Sequence, residues 1–497
     1  MITDEEYGRF DAVGLAELVR TKVLHPSELL EVALRRAQAL NPKLNAIVIP
    51  MEELARERAR TQLAGPLAGV PFLIKDLLQD YAGVPSSSGS RAFRNARHVP
   101  DAHSEIVKRW LAAGTLIFGR TNTPELGSKG ITEPLVWGPT RNPWDLARSP
   151  GGSSGGAAAA VAAGIVPVAG ASDGGGSIRI PAGATGLFGF KPGRGRTPTG
   201  PGVGEAIHGA AVNHVLSRSV RDSALFLDVT HGPELGAPFI IAPPPRPYAS
   251  EVEREPGALR IAFSARSPLG TPVDPAVSAA VEVSARLLEG LGHHVEEAEP
   301  EIDGLELARD FLAIWYAQLS VLMRGARERW GARASDFELD SLAMEAAARG
   351  KSALDYASAY VHWLEHGFKL AQFLQRYDVY MTPTLAQPAP RIGEIATPPW
   401  AAAALKALMP LGMGRAISLT PGTVERVALD NLQMAPFTQL ANVTGVPAMS
   451  VPLHVFPGGM PLGIHFLAGH GEEGRLFALA GQLERATPWD ARRPQLE

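Results

Sequence analysis

The chain contains no cysteine, which excludes disulfides, thiolate nucleophiles and cysteine-ligated zinc together. Neither charge is in excess: 47 Lys and Arg stand against 51 Asp and Glu, a formal net charge of −4. A surface that tracks nucleic-acid phosphates needs a basic surplus, and none is present. Long apolar runs are also missing. The longest stretch of small apolar residues, Ala157 to Gly170, falls short of the roughly 20 residues that cross a bilayer. The acidic opening MITDEEYGRF lacks the basic and apolar regions of a secretory signal. These absences leave three expectations: a small neutral or mildly polar substrate, no nucleic-acid or membrane partner, and a cytoplasmic location.

Glycine, in contrast, is clustered. Arg148 to Arg179 reads RSPGGSSGGAAAAVAAGIVPVAGASDGGGSIR, two serine-bearing glycine clusters one short helix apart, and Lys75 stands upstream in GVPFLIKD. Glycine permits positive φ and lets backbone N–H groups approach a substrate oxygen. In DGGGSIRIP the N–H groups of Gly174, Gly175, Gly176 and Ser177 are expected to converge as an oxyanion hole, with Ser177 as nucleophile. Ser153 is placed to relay its proton and Lys75 to accept it. Lys75 must then be neutral in part of the population; its apolar neighbours Val70, Phe72, Leu73 and Ile74 supply the desolvation this requires. In an extended segment Asp76 points to the opposite face from Lys75. Asp173 and Arg179 are expected to brace the glycine loop as a charge-assisted pair, and Ser154 to join the hydroxyl network. A Gly/Ser cluster alone is most often a flexible turn and a lone lysine a solvated charge, but linkers do not alternate with apolar packing segments.

Helical and strand-like segments alternate along the chain. Ser27 reads as the cap of a helix over SELLEVALRRAQAL, AIVIP and GVPFLI read as strands, and ALRIAFSA, DPAVSAAVEVSARLLEGLG and HHVEEAEP continue as strand, helix and strand. This predicts an α/β layered fold. The proline-rich Ala242 to Tyr248 and the lower-complexity stretch near 398–414 are breaks without a composition shift, consistent with crossings inside one large domain.

The segments GVPFLIKD, GRTNTPE, TRNPWDLARSPGGSSGG, SDGGGSIRIPA and GLFGFKPGRGR resemble the amidase signature family, and NVTGVPAMSVPL, GMPLGIHFLAG and LERATPW resemble its C-terminal part. The resemblance implies one domain over 1–497 with a mixed, mostly parallel β-sheet covered by helices on both faces. Within it, 1–68 is an N-terminal helical segment, 69–200 the catalytic core, 245–425 a variable substrate-pocket region and 426–497 a C-terminal core segment. It implies a Ser177 acyl-enzyme served by a Ser-cisSer-Lys triad with Ser153 as the cis-peptide serine, acting on linear or cyclic amides and by the same route on esters or carbamates. No cofactor and no metal are implied, and the protein would be a monomer or homodimer. TRNPWDLARSPGGSSGG and TPWDARRPQL are most similar to the branch of 6-aminohexanoate cyclic-dimer hydrolases. Gly174 stands where a larger apolar residue is common in the family, which would loosen the oxyanion loop. Trp315, in DFLAIWYAQ, and Ile180 are expected in the substrate pocket.

Three other readings are weighed. The resemblance also admits an amidotransferase A-type subunit that works only in complex with partners. GGSSG satisfies the G-x-S-x-G nucleophile-elbow pattern, but the preceding RNPWDLARSP carries two prolines and three charges instead of a buried strand. His362, Glu365 and His366 spell H-x-x-E-H, which would make a zinc hydrolase through His362 and His366; an ordinary packed helix face is the simpler reading.

Overall fold

In the computed structural model, which describes residues 2–397 and 432–496, eleven strands form one sheet. They are β1 (Ile47–Pro50), β2 (Pro71–Lys75), β3 (Leu116–Thr121), β4 (Val168–Asp173), β5 (Phe188–Lys191), β6 (Val212–Ser217), β7 (Arg260–Phe263), β8 (His294–Glu297), β9 (Val379–Pro383), β10 (Ala448–Val455) and β11 (Pro461–Ala468). Their order across the sheet is β1-β3-β2-β4-β6-β5-β10-β11-β9-β7-β8. The interior strands β2 and β4 are buried at every position, as continuous apolar or small-residue runs require when helices cover both faces.

The sheet is mixed, as expected, but it is not mostly parallel. Neighbours β2–β3, β2–β4, β7–β8 and β7–β9 run parallel, whereas β1–β3, β4–β6, β5–β6, β5–β10, β10–β11 and β9–β11 run antiparallel. Strand–helix alternation in sequence suggests parallel crossovers, yet β6 inserts between β4 and β5, and β10 and β11 are joined by a short turn that only antiparallel neighbours accept.

Local signals place most ends correctly. Asp274 caps the helix Pro275–Gly290 by accepting from Ala276 N. Ser27, however, is not a cap: the helix Pro26–Leu44 begins two residues earlier, with His25 as the cap residue and Pro26 at the first helical position, where its missing N–H is no loss. The proline-rich stretch 242–248 runs into the short helix Tyr248–Val252, whose Tyr248 is buried in a main core cluster. The break near 398–414 lies outside the described residues. Between β3 and β4 the helix Gly155–Ala162, GGAAAAVA, is buried along its whole length. Small side chains let it pass close to neighbouring backbone: a Cβ on Gly156 would collide with Asn122 N and lie 2.6 Å from Ala46 O. No helix among the described residues is long and apolar enough to cross a membrane.

Candidate active site

Three chain segments meet at the ends of β2 and β4. Lys75 is the last residue of β2 and fully buried. Ser153 and Ser154 stand just before the buried helix, with a cis peptide between Gly152 and Ser153. Ser172 and Asp173 end β4. The Lys75 ammonium donates to Ser153 Oγ at 2.7 Å, Ser154 Oγ at 3.0 Å and Ser172 Oγ at 3.0 Å. Three donors thus meet three neutral hydroxyls. Burial therefore dominates and lowers the Lys75 pKa to about 7, against a smaller upward pull from the Asp173 charge. Asp76, just past the end of β2, faces elsewhere: it accepts from the Ser86 and Ser87 hydroxyls and Ser87 N, and lies 3.9 Å from Arg120. Ser172 is a site residue that motif reading missed. Only the parallel pairing of β2 with β4, Leu73 opposite Ala169, brings it to the end of Lys75.

The loop after β4 is held from below. Asp173 Oδ1 accepts from Gly176 N at 2.7 Å, Arg179 Nη2 at 2.9 Å and Asn442 Nδ2 at 2.9 Å; Oδ2 accepts from Ile178 N at 3.1 Å and Arg179 Nε at 3.0 Å. Burial would raise this carboxyl, but Arg179's charge and hydrogen bonds, with Lys191 and Asn442, hold it well below the usual carboxylate range. Arg179 in turn donates to Thr438 O, His465 Nε2 and Asn442 Oδ1. The brace expected of Asp173 and Arg179 is present, and its C-terminal partners Thr438, Asn442 and His465 carry no motif that links them to it. Gly176, at φ +127°, is where a side chain would strike Thr438. Its N–H is committed to Asp173, because a carboxylate three residues back competes for it, so Gly176 braces the loop while Gly175 and Ser177 border open space.

That space is a cavity of about 90 Å³. Ser177, 8% exposed, lies in its wall with Gly127 and Gly175; Ile180, Phe311, Leu312, Trp315, Met344 and Met434 make most of the lining apolar, and Ser128, Lys129 and Gln439 add polar groups. Ser153 adjoins it through Gly127, where an added Cβ would lie 3.5 Å from Ser153 Oγ. Phe311, Leu312, Trp315 and Tyr316 come from the long helix Gly304–Trp330. The loop is not loosened at Gly174. A Cβ there would lie 3.0 Å from the Trp315 indole, so the tryptophan occupies the space a larger residue would take.

The amidase family model matches residues 28–477. The chain belongs to the amidase family. This amidase is 38% identical over 496 residues to a 6-aminohexanoate-cyclic-dimer hydrolase of Paenarthrobacter ureafaciens, covering 98% of this chain and 96% of that one. A solved 6-aminohexanoate cyclic dimer hydrolase complexed with substrate superposes with a TM-score of 0.90 at 36% identity, covering 98% of this chain and 99% of that chain. A glutamyl-tRNA(Gln) amidotransferase chain from Thermotoga maritima superposes at 0.77 with 25% identity, covering 100% of this chain and 98% of that chain.

Elsewhere in the amidase, the H-x-x-E-H residues do not assemble as zinc ligands. His362 Nδ1 lies 3.0 Å and His366 Nε2 3.8 Å from the same Asp310 carboxylate oxygen, while Glu365 points to solvent. Among the described residues no cluster of three or more His, Asp and Glu side chains is arranged to hold a metal.

Proposed function

We propose that this amidase hydrolyses carbon–nitrogen bonds of small amides through an acyl-enzyme on Ser177. Lys75, neutral in the working enzyme, takes the Ser153 proton as Ser153 takes that of Ser177, and Ser177 Oγ attacks the amide carbonyl carbon. The N–H groups of Gly174, Gly175 and Ser177 are assigned to the oxyanion of the tetrahedral intermediate. As the C–N bond breaks, the proton returns from Lys75 through Ser153 to the leaving amine. Water then follows the same relay to release the acid and restore Ser177. The observation that carries this reading is the buried Lys75 Nζ, 2.7 Å from Ser153 Oγ, with Ser153 adjoining the Ser177 cavity through Gly127.

The apolar wall of Ile180, Phe311 and Trp315 favours aliphatic or aryl acyl groups. The relatives' names point to a cyclic 6-aminohexanoate amide as the first substrate to try. Esters and carbamates enter by the same acyl transfer. The test is amine release from aliphatic amides, aryl amides and cyclic 6-aminohexanoate dimer, wild type beside Ser177→Ala, with the purified chain alone. Turnover by the wild type and its loss in the variant are expected; full turnover by the variant overturns the reading. Turnover only after a partner protein is added would favour the amidotransferase reading.

A further inference from the structure

Three arginines from distant parts of the chain line one cavity. Arg36 lies in the helix Pro26–Leu44, Arg218 directly follows β6, and Arg493 stands beyond the helix Glu473–Ala486. The cavity, of about 430 Å³, also takes in Ala162, Ala163 and Gly164, at the end of the buried helix Gly155–Ala162 away from Ser153 and Ser154. A Cβ on Gly164 would lie 2.9 Å from Arg36 Nη2 and 3.6 Å from Arg218 Nη1, so both guanidinium groups border the space that glycine leaves open. Each arginine has donors left over. Arg36 directs Nε to Gly164 O at 2.6 Å, Nη2 to Ala163 O at 3.2 Å and Nη1 to Asp4 O at 3.1 Å, which leaves one N–H on each terminal nitrogen. Arg218, 7% exposed, donates through Nη2 alone, to Phe10 O at 3.0 Å and Gly8 O at 3.4 Å. Its Nε and Nη1, and the whole Arg493 fork, have no acceptor among the described residues.

The nearby carboxylates are engaged elsewhere. Glu5 pairs with Arg9 at 2.6 Å, Asp4 with Arg35 at 3.0 Å and Asp11 with Arg221 at 2.6 Å. Asp222, whose charge also reaches Arg218, accepts from Ala12 N and Val13 N. Asp490 is the one carboxylate of the cavity wall without such a partner, and among the described residues it forms no ion pair with the three arginines. Partial burial and the charges of Arg218 and Arg36, opposed by Asp490, lower the Arg493 pKa to about 10, as cations facing one another require. A cationic group buried without a counter-charge is costly, and a bound anion removes that cost.

We propose that this cavity binds a phosphate group carried by a small molecule. Guanidinium forks bind oxyanions two bonds at a time. Three forks around one space offer more donors than the two oxygens of a carboxylate can take, and they suit the three terminal oxygens of a phosphate. Arg218 is buried while Arg493 is exposed at the rim, so the anion enters past Arg493. The site is separate from the Ser177 cavity and its occupancy is read without turnover.

Isothermal titration calorimetry of the full chain with pyrophosphate and with inorganic phosphate tests this, at ionic strength held constant with sodium chloride. Acetate forms a third arm, and far-UV circular dichroism checks folding. Pyrophosphate is expected to bind with a dissociation constant of about 1 mM or below, inorganic phosphate more weakly, and acetate without saturation. Arg493→Gln is expected to raise the pyrophosphate dissociation constant by about tenfold or more, the loss of a charge-assisted bond. Asp490→Asn removes the carboxylate that opposes the ligand and is expected to tighten binding by about threefold. No saturable heat with either phosphate up to about 10 mM, an acetate response equal to that of phosphate, or an affinity indifferent to both substitutions would each overturn the proposal.

Discussion

If Lys75 is the base, amide hydrolysis must follow its protonation. Burial holds its pKa at about 7 instead of the ordinary lysine value of 10.5; the gap corresponds to about 5 kcal/mol between the two protonation states. At pH 8 such a lysine is about 90% neutral and at pH 5 about 1% neutral. The value of kcat/KM is therefore expected to rise with pH along one ionisation centred near 7, falling about a hundredfold from pH 8 to pH 5. The assay is the initial rate of amine release at low substrate concentration, with folding checked at each pH. A lysine that kept its ordinary pKa would be neutral to well under 1% at pH 8, and activity would go on rising above pH 9; that result refutes the reasoning. The same shift has a stability signature. Between about 7 and 10.5 the unfolded chain binds a proton that the native lysine has released, so stability rises with pH across this window. Lys191, also lowered to about 7 by burial and the Arg179 charge, adds to that slope but touches no reacting atom.

Other outcomes follow from particular contacts. Gly174→Ile is expected to cost about 1–3 kcal/mol by overpacking against Trp315, and less than about 1 kcal/mol in a Trp315→Ala background, read as a double-mutant cycle from urea midpoints. Trp315→Ala alone is expected to raise kcat/KM for bulky aryl amides over small aliphatic ones by about tenfold. Asp173→Asn leaves the Arg179 guanidinium buried without its counter-charge and is expected to cost about 3–5 kcal/mol, measured by thermal melting. Gly152→Ala would place a Cβ 2.5 Å from Ile131 O; a backbone neighbour does not yield as a side chain does, so loss of at least about 3 kcal/mol or failure to fold is expected.

The residues expected to carry the chemistry were legible because each sits in a segment whose glycines and apolar neighbours make little sense as surface. Lys75 ends an apolar strand, and Ser153 and Ser177 lie in glycine clusters. Legibility ended where register and distant packing decide. Ser172 reaches Lys75 only through the pairing of β2 with β4. The partners of Arg179 come from residues 438–465, more than 250 positions away; Asn442 and His465 lie in segments that resemble the family, but nothing local in those segments points to Arg179. The commitment of Gly176 N–H to Asp173 is a competition between acceptors that composition does not resolve. Strand order likewise hid the antiparallel majority, since β6 enters the sheet ahead of β5.

The central claim is that Ser177 becomes acylated. The most direct measurement is intact-mass and peptide mass spectrometry after mixing the enzyme with a slowly deacylating carbamate or activated ester. The account predicts one acyl adduct per chain, on the peptide containing Ser177, absent in Ser177→Ala and sharply slowed in Lys75→Met. An adduct on another residue, or an unchanged adduct in Ser177→Ala, would contradict it.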